Sequence, residues 1–150
     1  MGLSYHASTR SHDTQTKVGC VIVGDKRVIS MGYNGFCAGV NDDNLPTTRP
    51  NKYPFMVHAE ENAISNMLIM PSSVKTVYIT HQPCNRCAKL LWQNNIHHWF
   101  LPKDSKAHGF SGEDAIVYGH LIDNGLKITY MNPDLSYLNR LIEQQKALSD

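Results

Sequence analysis

Val57-His58-Ala59-Glu60-Glu61-Asn62-Ala63-Ile64 and Pro83-Cys84-Asn85-Arg86-Cys87-Ala88-Lys89 are the two stretches that decide how this chain folds and what it binds. Together they hold a His, a Glu two places after it, and a Cys-x-x-Cys pair preceded by Pro. Zinc takes thiolate and imidazole ligands and is usually four-coordinate. Three protein ligands leave one position open, which marks a catalytic rather than a structural site. His58, Cys84 and Cys87 are therefore the candidate ligands of one zinc per chain, and Glu60 is the candidate general acid/base. The order carries the signal, because either half alone is weak.

Both halves sit at predicted helix starts. Ala59, Ala63, Ile64, Met67, Leu68 and Met70 recur at the spacing of a buried helix from His58 to about Met70, and Pro71-Ser72-Ser73 stops it. Cys84 to Asn95 predicts a second helix, ended by Asn94-Asn95. Its first turn puts both sulfurs on one face. The unpaired N–H groups and dipole there favour thiolates. Alternatives for the CxxC are a redox pair or half of a zinc ribbon. A ribbon needs a second ligand pair, and Cys20 and Cys37 form none. A lone His at a helix start is more often a cap or a surface residue, but Glu60 and the later CxxC favour a ligand. Glu61 must point elsewhere on the helix and reads as solvated or salt-bridging.

Further out, Val18 to Val23 and Arg27 to Met31 flank Gly24-Asp25-Lys26 and predict a hairpin. Residues 3–9 predict a short helix, and Gly32 to Met56, rich in Gly, Asn, Asp and Pro, predicts a loop. Val74 to Thr80, His97 to Leu101 and Leu126 to Met131 are predicted strands. Gly112 to Asn124 and Asp134 to Leu148 are predicted helices. Strands alternating with helices, in the order β-β-α-β-α-β-α-β-α, imply an α/β sheet.

The 150 residues predict a single domain spanning 1–150, with enough chain to bury a core. No apolar run approaches the ~20 residues of a membrane span, and no secretory signal is apparent, so a cytoplasmic protein without a membrane partner is expected. Four cysteines in such a chain read as reduced thiols. A net charge of +1 argues against a nucleic-acid partner, which calls for a basic excess, but leaves room for a small anionic substrate.

A His/Cys/Cys zinc set with a non-ligating Glu, in the order His-x-Glu then Pro-Cys-x-x-Cys, is the signature of nucleobase deaminases. The likeness extends to Lys17-Val18-Gly19-Cys20-Val21-Ile22-Val23, Gly32-Tyr33-Asn34-Gly35, Asp42-Asp43-Asn44-Leu45-Pro46 and Lys52-Tyr53-Pro54-Phe55. With these, the chain from about Arg10 to Leu101 resembles the deoxycytidylate (dCMP) deaminases of the zinc-dependent cytidine/deoxycytidylate deaminase family.

The resemblance implies a three-layer α/β/α fold with a five-stranded mixed sheet and one catalytic Zn2+. It implies deamination of dCMP to dUMP and ammonia for dTMP synthesis, in a homohexamer activated by dCTP and inhibited by dTTP. A bifunctional enzyme that also takes dCTP, another cytosine nucleoside or nucleotide deaminase, a polynucleotide-editing deaminase and a catalytically dead nucleotide sensor are the rivals. Retention of Glu60 speaks against the sensor. Arg10, Ser11 and Lys17 lie upstream of strand one, where the family has Arg and Ser, and are candidate phosphate contacts or solvated surface residues. Asn34, with Gly35, is expected at the substrate and effector nucleotides, or in a turn. The Ala59 N–H is a candidate reader of the base. Tyr53 either stacks on a pyrimidine or packs a loop. The family's Asp-Lys-Tyr after strand four is replaced by residues 103–110, where His108 or Phe110 stands in for the tyrosine or the rim differs.

Overall fold

In the computed structural model, which describes residues 1–68, 75–107, 110–137 and 140, the apolar run after Lys17 forms strand β1 (Gly19–Gly24). It lies between two other strands, and Cys20, Val21 and Ile22 are buried. A strand covered on both faces needs apolar residues at successive positions, which is why this segment reads as a run and not an alternation. Asp25 and Lys26 both adopt left-handed backbone (φ 50° and 62°) and turn the chain into β2 (Arg27–Tyr33). Such two-residue turns match the twist of an antiparallel pair.

Beyond the hairpin come a two-stranded ribbon, β3 (Gly35–Phe36) with β4 (Met56–Val57), and then the strands β5 (Lys75–Ile79), β6 (Ile96–Pro102) and β7 (Lys127–Met131). The main sheet runs β2-β1-β5-β6-β7. β1 is antiparallel to β2 and β5, while β5, β6 and β7 are parallel, so the sheet is mixed and five-stranded as expected.

Two glycines show how the helices flank it. Gly19 pairs with Tyr33 and Cys20 with Gly32, so the two glycines face opposite sides. A Cβ at Gly19 would stand 1.9 Å from Ser4 O in α1 (Gly2–Ser8); one at Gly32 would stand 2.3 Å from Ala63 N in α2 (Ala59–Ser65). Helix α3 (Asn85–Gln93) touches α2, and α5 (Gly112–Asp123) touches α3. These three cover one face, where Trp99 of β6 meets Tyr118 of α5 edge-on with ring centroids 5.7 Å apart. On the other face α1 packs against β1 and β2, and α4 (Lys103–Ala107) follows β6 and touches β6 and β7. Burial raises the Tyr5 hydroxyl pKa, and the Asp104 charge raises it further. The layers are α/β/α, with the core built from Ile22, Val77, Ile79, Leu91, Trp99 and Leu101.

Some boundaries differ from the sequence expectation. α2 stops at Ser65, capped by Asn66, whose side-chain amide bonds Met31 O at the sheet edge. Leu68 is 95% exposed, so the apolar spacing beyond Ser65 is not a buried helical face; residues 69–74 lie outside the described residues. The expected loop over Gly32 to Met56 contains the β3–β4 ribbon and a 3₁₀ turn at Tyr53–Phe55. No sequence signal marks α4. Of the last predicted helix, Ser136, Tyr137 and Arg140 are helical, and 138–139 and 141–150 lie outside the described residues. Among the described residues no helix is long and apolar enough to cross a membrane.

Candidate active site

The ribbon delivers the chain from the end of β2 to the start of α2, and the end of β5 leads to the start of α3. His58 is the N-cap of α2 and Cys84 the N-cap of α3, with Cys87 in the first turn of α3. The two helix starts converge. Cys84 Sγ and Cys87 Sγ lie 3.6 and 3.4 Å from His58 Nδ1, and the three donor atoms fall within 4.8 Å of one another.

This set fits zinc. Zn–S and Zn–N bonds of ~2.3 and ~2.05 Å at a tetrahedral angle place a sulfur and a nitrogen about 3.6 Å apart. Cys84 is the thiol held low, by the hydrogen bond from Cys87 and then that from His58. Cys87 is pushed up by donating to Cys84 and by burial. The His58 imidazole is raised by its bond to Cys84. Three donors crowded on one point call for a cation between them, and a bound divalent ion favours the deprotonated form of each.

Glu60 is buried in the first turn of α2, two places after the His. Burial pushes its carboxyl up to about 7, against the opposing pull of the His58 charge. Glu61 faces away from it. The Glu61 carboxylate accepts the His58 N–H at 2.9 Å and pairs with Arg86 of α3, so it ties the two ligand-bearing helix starts together. Of the two readings open for Glu61, the salt-bridging one holds.

A cleft of about 380 Å³ opens beside this centre, lined among others by His58, Ala59, Glu60 and Cys84. Asn34 and Tyr53 also line it, Tyr53 being 55% exposed. Asn34 is not in a turn between strands of one hairpin. Its Oδ1 accepts the Val18 N–H at 2.7 Å, and its Nδ2 donates to Thr16 O at 2.8 Å and Asp13 Oδ2 at 3.3 Å. Gly35 lies in a second concavity with Tyr33, Cys37 and Asp42, away from the ligand set. Arg10 and Lys17 are exposed and Ser11 is buried; none of the three lines the cleft. Ser11 Oγ accepts the Asp13 N–H at 3.2 Å. Phe110 stacks on Tyr118 with ring centroids 3.9 Å apart and does not line the cleft, while His108 lies outside the described residues.

Several cleft residues carry no sequence signal of their own: Asp13, Thr16, Arg49, Lys52 and Asp114. Lys52 Nζ bonds both oxygens of Asp13, at 2.6 and 2.7 Å, and both side chains are 3% exposed. Burial alone would raise the Asp13 carboxyl pKa, but the bonds from Lys52 and from the Gln15 and Thr16 amides hold it below the ordinary range. Arg49 bonds Thr16 Oγ1 and makes no ion pair among the described residues. No local pattern links Asp13 to Lys52; the only hint in the sequence is that each falls in or beside a stretch of family likeness.

A model of the cytidine and deoxycytidylate deaminase zinc-binding region matches residues 1–102, and the chain belongs to that family. It is 46% identical to a probable deoxycytidylate deaminase of Caenorhabditis elegans over 94 residues, which are 59% of this chain and 48% of that protein. It is 31% identical to the deoxycytidylate deaminase of Homo sapiens over 137 residues, 87% of this chain and 75% of the human one. The chain thus spans about half to three quarters of the length of these curated relatives. The solved dCMP deaminase of the cyanophage S-TIM5, in complex with dCMP and dUMP, has the same fold (TM-score 0.67, 22% identity, 86% of this chain and 91% of that one).

Proposed function

We propose that this chain, as one deaminase unit, converts dCMP and water to dUMP and ammonia. The observation that carries the proposal is the convergence of His58, Cys84 and Cys87 beside the buried Glu60, at the floor of a cleft of nucleotide size. Relatives named deoxycytidylate deaminase support the choice of substrate.

His58, Cys84 and Cys87 would hold zinc, which when bound lowers the pKa of a water from 15.7 to ~7 and supplies a nucleophile at neutral pH. Glu60 moves the protons. It takes one from the attacking water and gives it to N3 of the cytosine ring as the C4–O bond forms. It then takes the remaining proton from the new C4 hydroxyl and passes it to the 4-amino group, so that the C4–N bond breaks with ammonia as leaving group and the oxygen stays on C4 as the carbonyl. A carboxyl whose pKa lies near 7 can both accept and donate at neutral pH.

The remaining cleft residues orient the nucleotide. The Ala59 N–H is one of the first four of α2, which lack partners in the helix, and offers a donor to the base carbonyl. Both Asn34 amide hydrogens are used, and one lone pair of Oδ1 remains, so Asn34 serves as an acceptor for a sugar hydroxyl. Tyr53 supplies a ring at the mouth. The charge of Lys52 is consumed by Asp13, which leaves Arg49 as the cleft cation for the 5′-phosphate. Arg10 and Lys17 would be outer contacts for phosphate, with Ser11 buttressing the Asp13 loop.

The test is ammonia release from dCMP, dCTP, CMP, deoxycytidine and cytosine by protein shown to carry about one zinc per chain. A charge-assisted phosphate bond contributes ~1.5–3 kcal/mol, about one to two decades in kcat/KM. Removing the phosphate, or changing Arg49→Ala with dCMP, should each cost about that much. Equal efficiency on deoxycytidine and dCMP would replace this assignment with a nucleoside deaminase.

A further inference from the structure

Cys84 occupies the N-cap of α3, the position from which a Ser, Thr, Asp or Asn side chain ordinarily accepts a bond from the first-turn N–H groups. Its sulfur faces His58 and makes no such bond. A sulfur aimed at a metal leaves first-turn N–H groups of its helix to other acceptors. At α2, where His58 is both N-cap and candidate ligand, a capping box closes the helix start, and the Glu61 carboxylate of the same helix accepts the His58 N–H.

At α3 the substitute comes from another element. Asp114, in the first turn of α5, accepts the Asn85 N–H at 3.0 Å and the Asn85 Nδ2–H at 2.9 Å, both on Oδ1. One turn further along α5, the Tyr118 hydroxyl donates to Pro83 O at 2.8 Å. The peptide is therefore held on both sides of Cys84 by one helix. Tyr118 is fully buried, with Phe110 stacked on it and Trp99 against its edge, so the hold is anchored in the core.

We propose that Asp114 is a positioning residue for the metal site, holding Asn85 so that Cys84 Sγ enters the set formed with His58 and Cys87 from a fixed direction. This rests on those three residues being the zinc ligands. The Asp114 side chain acts through the peptide between Asn85 and Cys84 and is not itself a ligand. Groups that orient a ligand from behind typically change metal affinity 10–100-fold when removed.

The experiment compares zinc-loaded wild type with Asp114→Ala and Asp114→Asn, timing zinc transfer to a chromogenic chelator and recording the thiolate-to-metal and d–d bands of the cobalt-substituted proteins. Asp114→Ala should bind zinc about 10–100-fold more weakly and shift the cobalt bands. Asp114→Asn keeps an oxygen acceptor for the Asn85 N–H and should stay close to wild type in both. If Asp114→Ala retains zinc and an unchanged cobalt spectrum, the inference is overturned; so it is if the Asn variant loses as much as the Ala variant. Should Asp114→Ala not fold, Asp114→Glu, which displaces the carboxylate by one methylene, takes its place: weaker zinc and shifted bands uphold the inference, and wild-type values overturn it. Wild type that takes up no zinc would instead sink the ligand assignment itself.

Discussion

Glu60 and Asp13 are both buried carboxyls in the first 60 residues, and their surroundings drive them apart. For Glu60 burial outweighs the hydrogen bonds and the His58 charge that pull it down, and it rises to about 7; Asp13 has a lysine on both oxygens and two amides, and falls. The first is suited to carrying protons, the second to holding structure. Glu60→Gln should keep zinc and the fold but lose ~10²–10⁴-fold in kcat, the usual contribution of a general acid/base. Near wild-type turnover in a zinc-replete Gln variant would remove Glu60 from the chemistry. Lys52→Met leaves Asp13 buried and unpaired, and should cost ~3–5 kcal/mol in urea unfolding. The sign with pH follows from the lowered Asp13 pKa. Its stabilisation is complete above the unfolded value near ~3.9 and is lost as pH falls through the lower folded value. An acid titration of stability in wild type and Asp13→Asn should therefore converge only below about pH 4. Curves that stay parallel to lower pH would contradict it.

At the scale of elements, the site is a meeting of two helix starts, and the sheet sets how near they come. Gly32 lets the α2 backbone rest on β2, with Ala63 N and Ala59 O within 2.5 Å of where a Cβ would stand. Gly32→Ala must push α2 outward, and His58 and Glu60 with it. Overpacking of this kind costs ~1–3 kcal/mol. Metal retention should fall together with stability, which calorimetry and metal analysis on one sample would show. A stable variant with full zinc would mean that α2 can shift without disturbing the ligands. The Glu61–Arg86 pair is the direct tie between α2 and α3, but Arg86 is largely exposed, so the pair adds only a modest amount to the convergence.

For the whole molecule, the cleft and the second concavity lie on either side of the Asn34-Gly35 segment. Asn34 lines the cleft while Gly35 lies in the second concavity. On the family likeness we expect a hexamer in which dCTP and dTTP bias dCMP binding through this segment. A coupling of ~1–3 kcal/mol changes affinity about 5–150-fold, and it requires that the effector bind one arrangement better than the other. The expected outcome is a sigmoidal dCMP rate curve that dCTP makes hyperbolic and dTTP makes more sigmoidal. A hyperbolic curve indifferent to both, from protein that sizes as a hexamer, would show the chemistry without the switch; conversion of dCTP to dUTP would point to the bifunctional rival.

The strands and the metal donors are legible in the sequence because each has a short-range signature. The buried run of β1, the turn at Asp25-Lys26, the His-x-Glu spacing and the CxxC depend on neighbours a few residues apart. Helix ends are less legible where tertiary contacts override the local pattern. Met67 and Leu68 continue an apolar spacing, yet Asn62 and Asn66 at the end of α2 spend their side chains on β2 carbonyls and the helix stops. The surroundings of the site are least legible. Asp13 meets Lys52, Asn34 meets Thr16 and Val18, and Asp114 meets Asn85 only once the sheet order β2-β1-β5-β6-β7 has folded distant segments over one cleft. By itself, then, the sequence singled out the three donor atoms that meet in the structure and the carboxylate that lies buried beside them, since residue type and local spacing carry that signal. Which cation lines the cleft, which acid is paired with a lysine and which side chain accepts the Asn85 N–H were decided by the tertiary structure alone, because burial and long-range pairing set the charge and direction of a side chain.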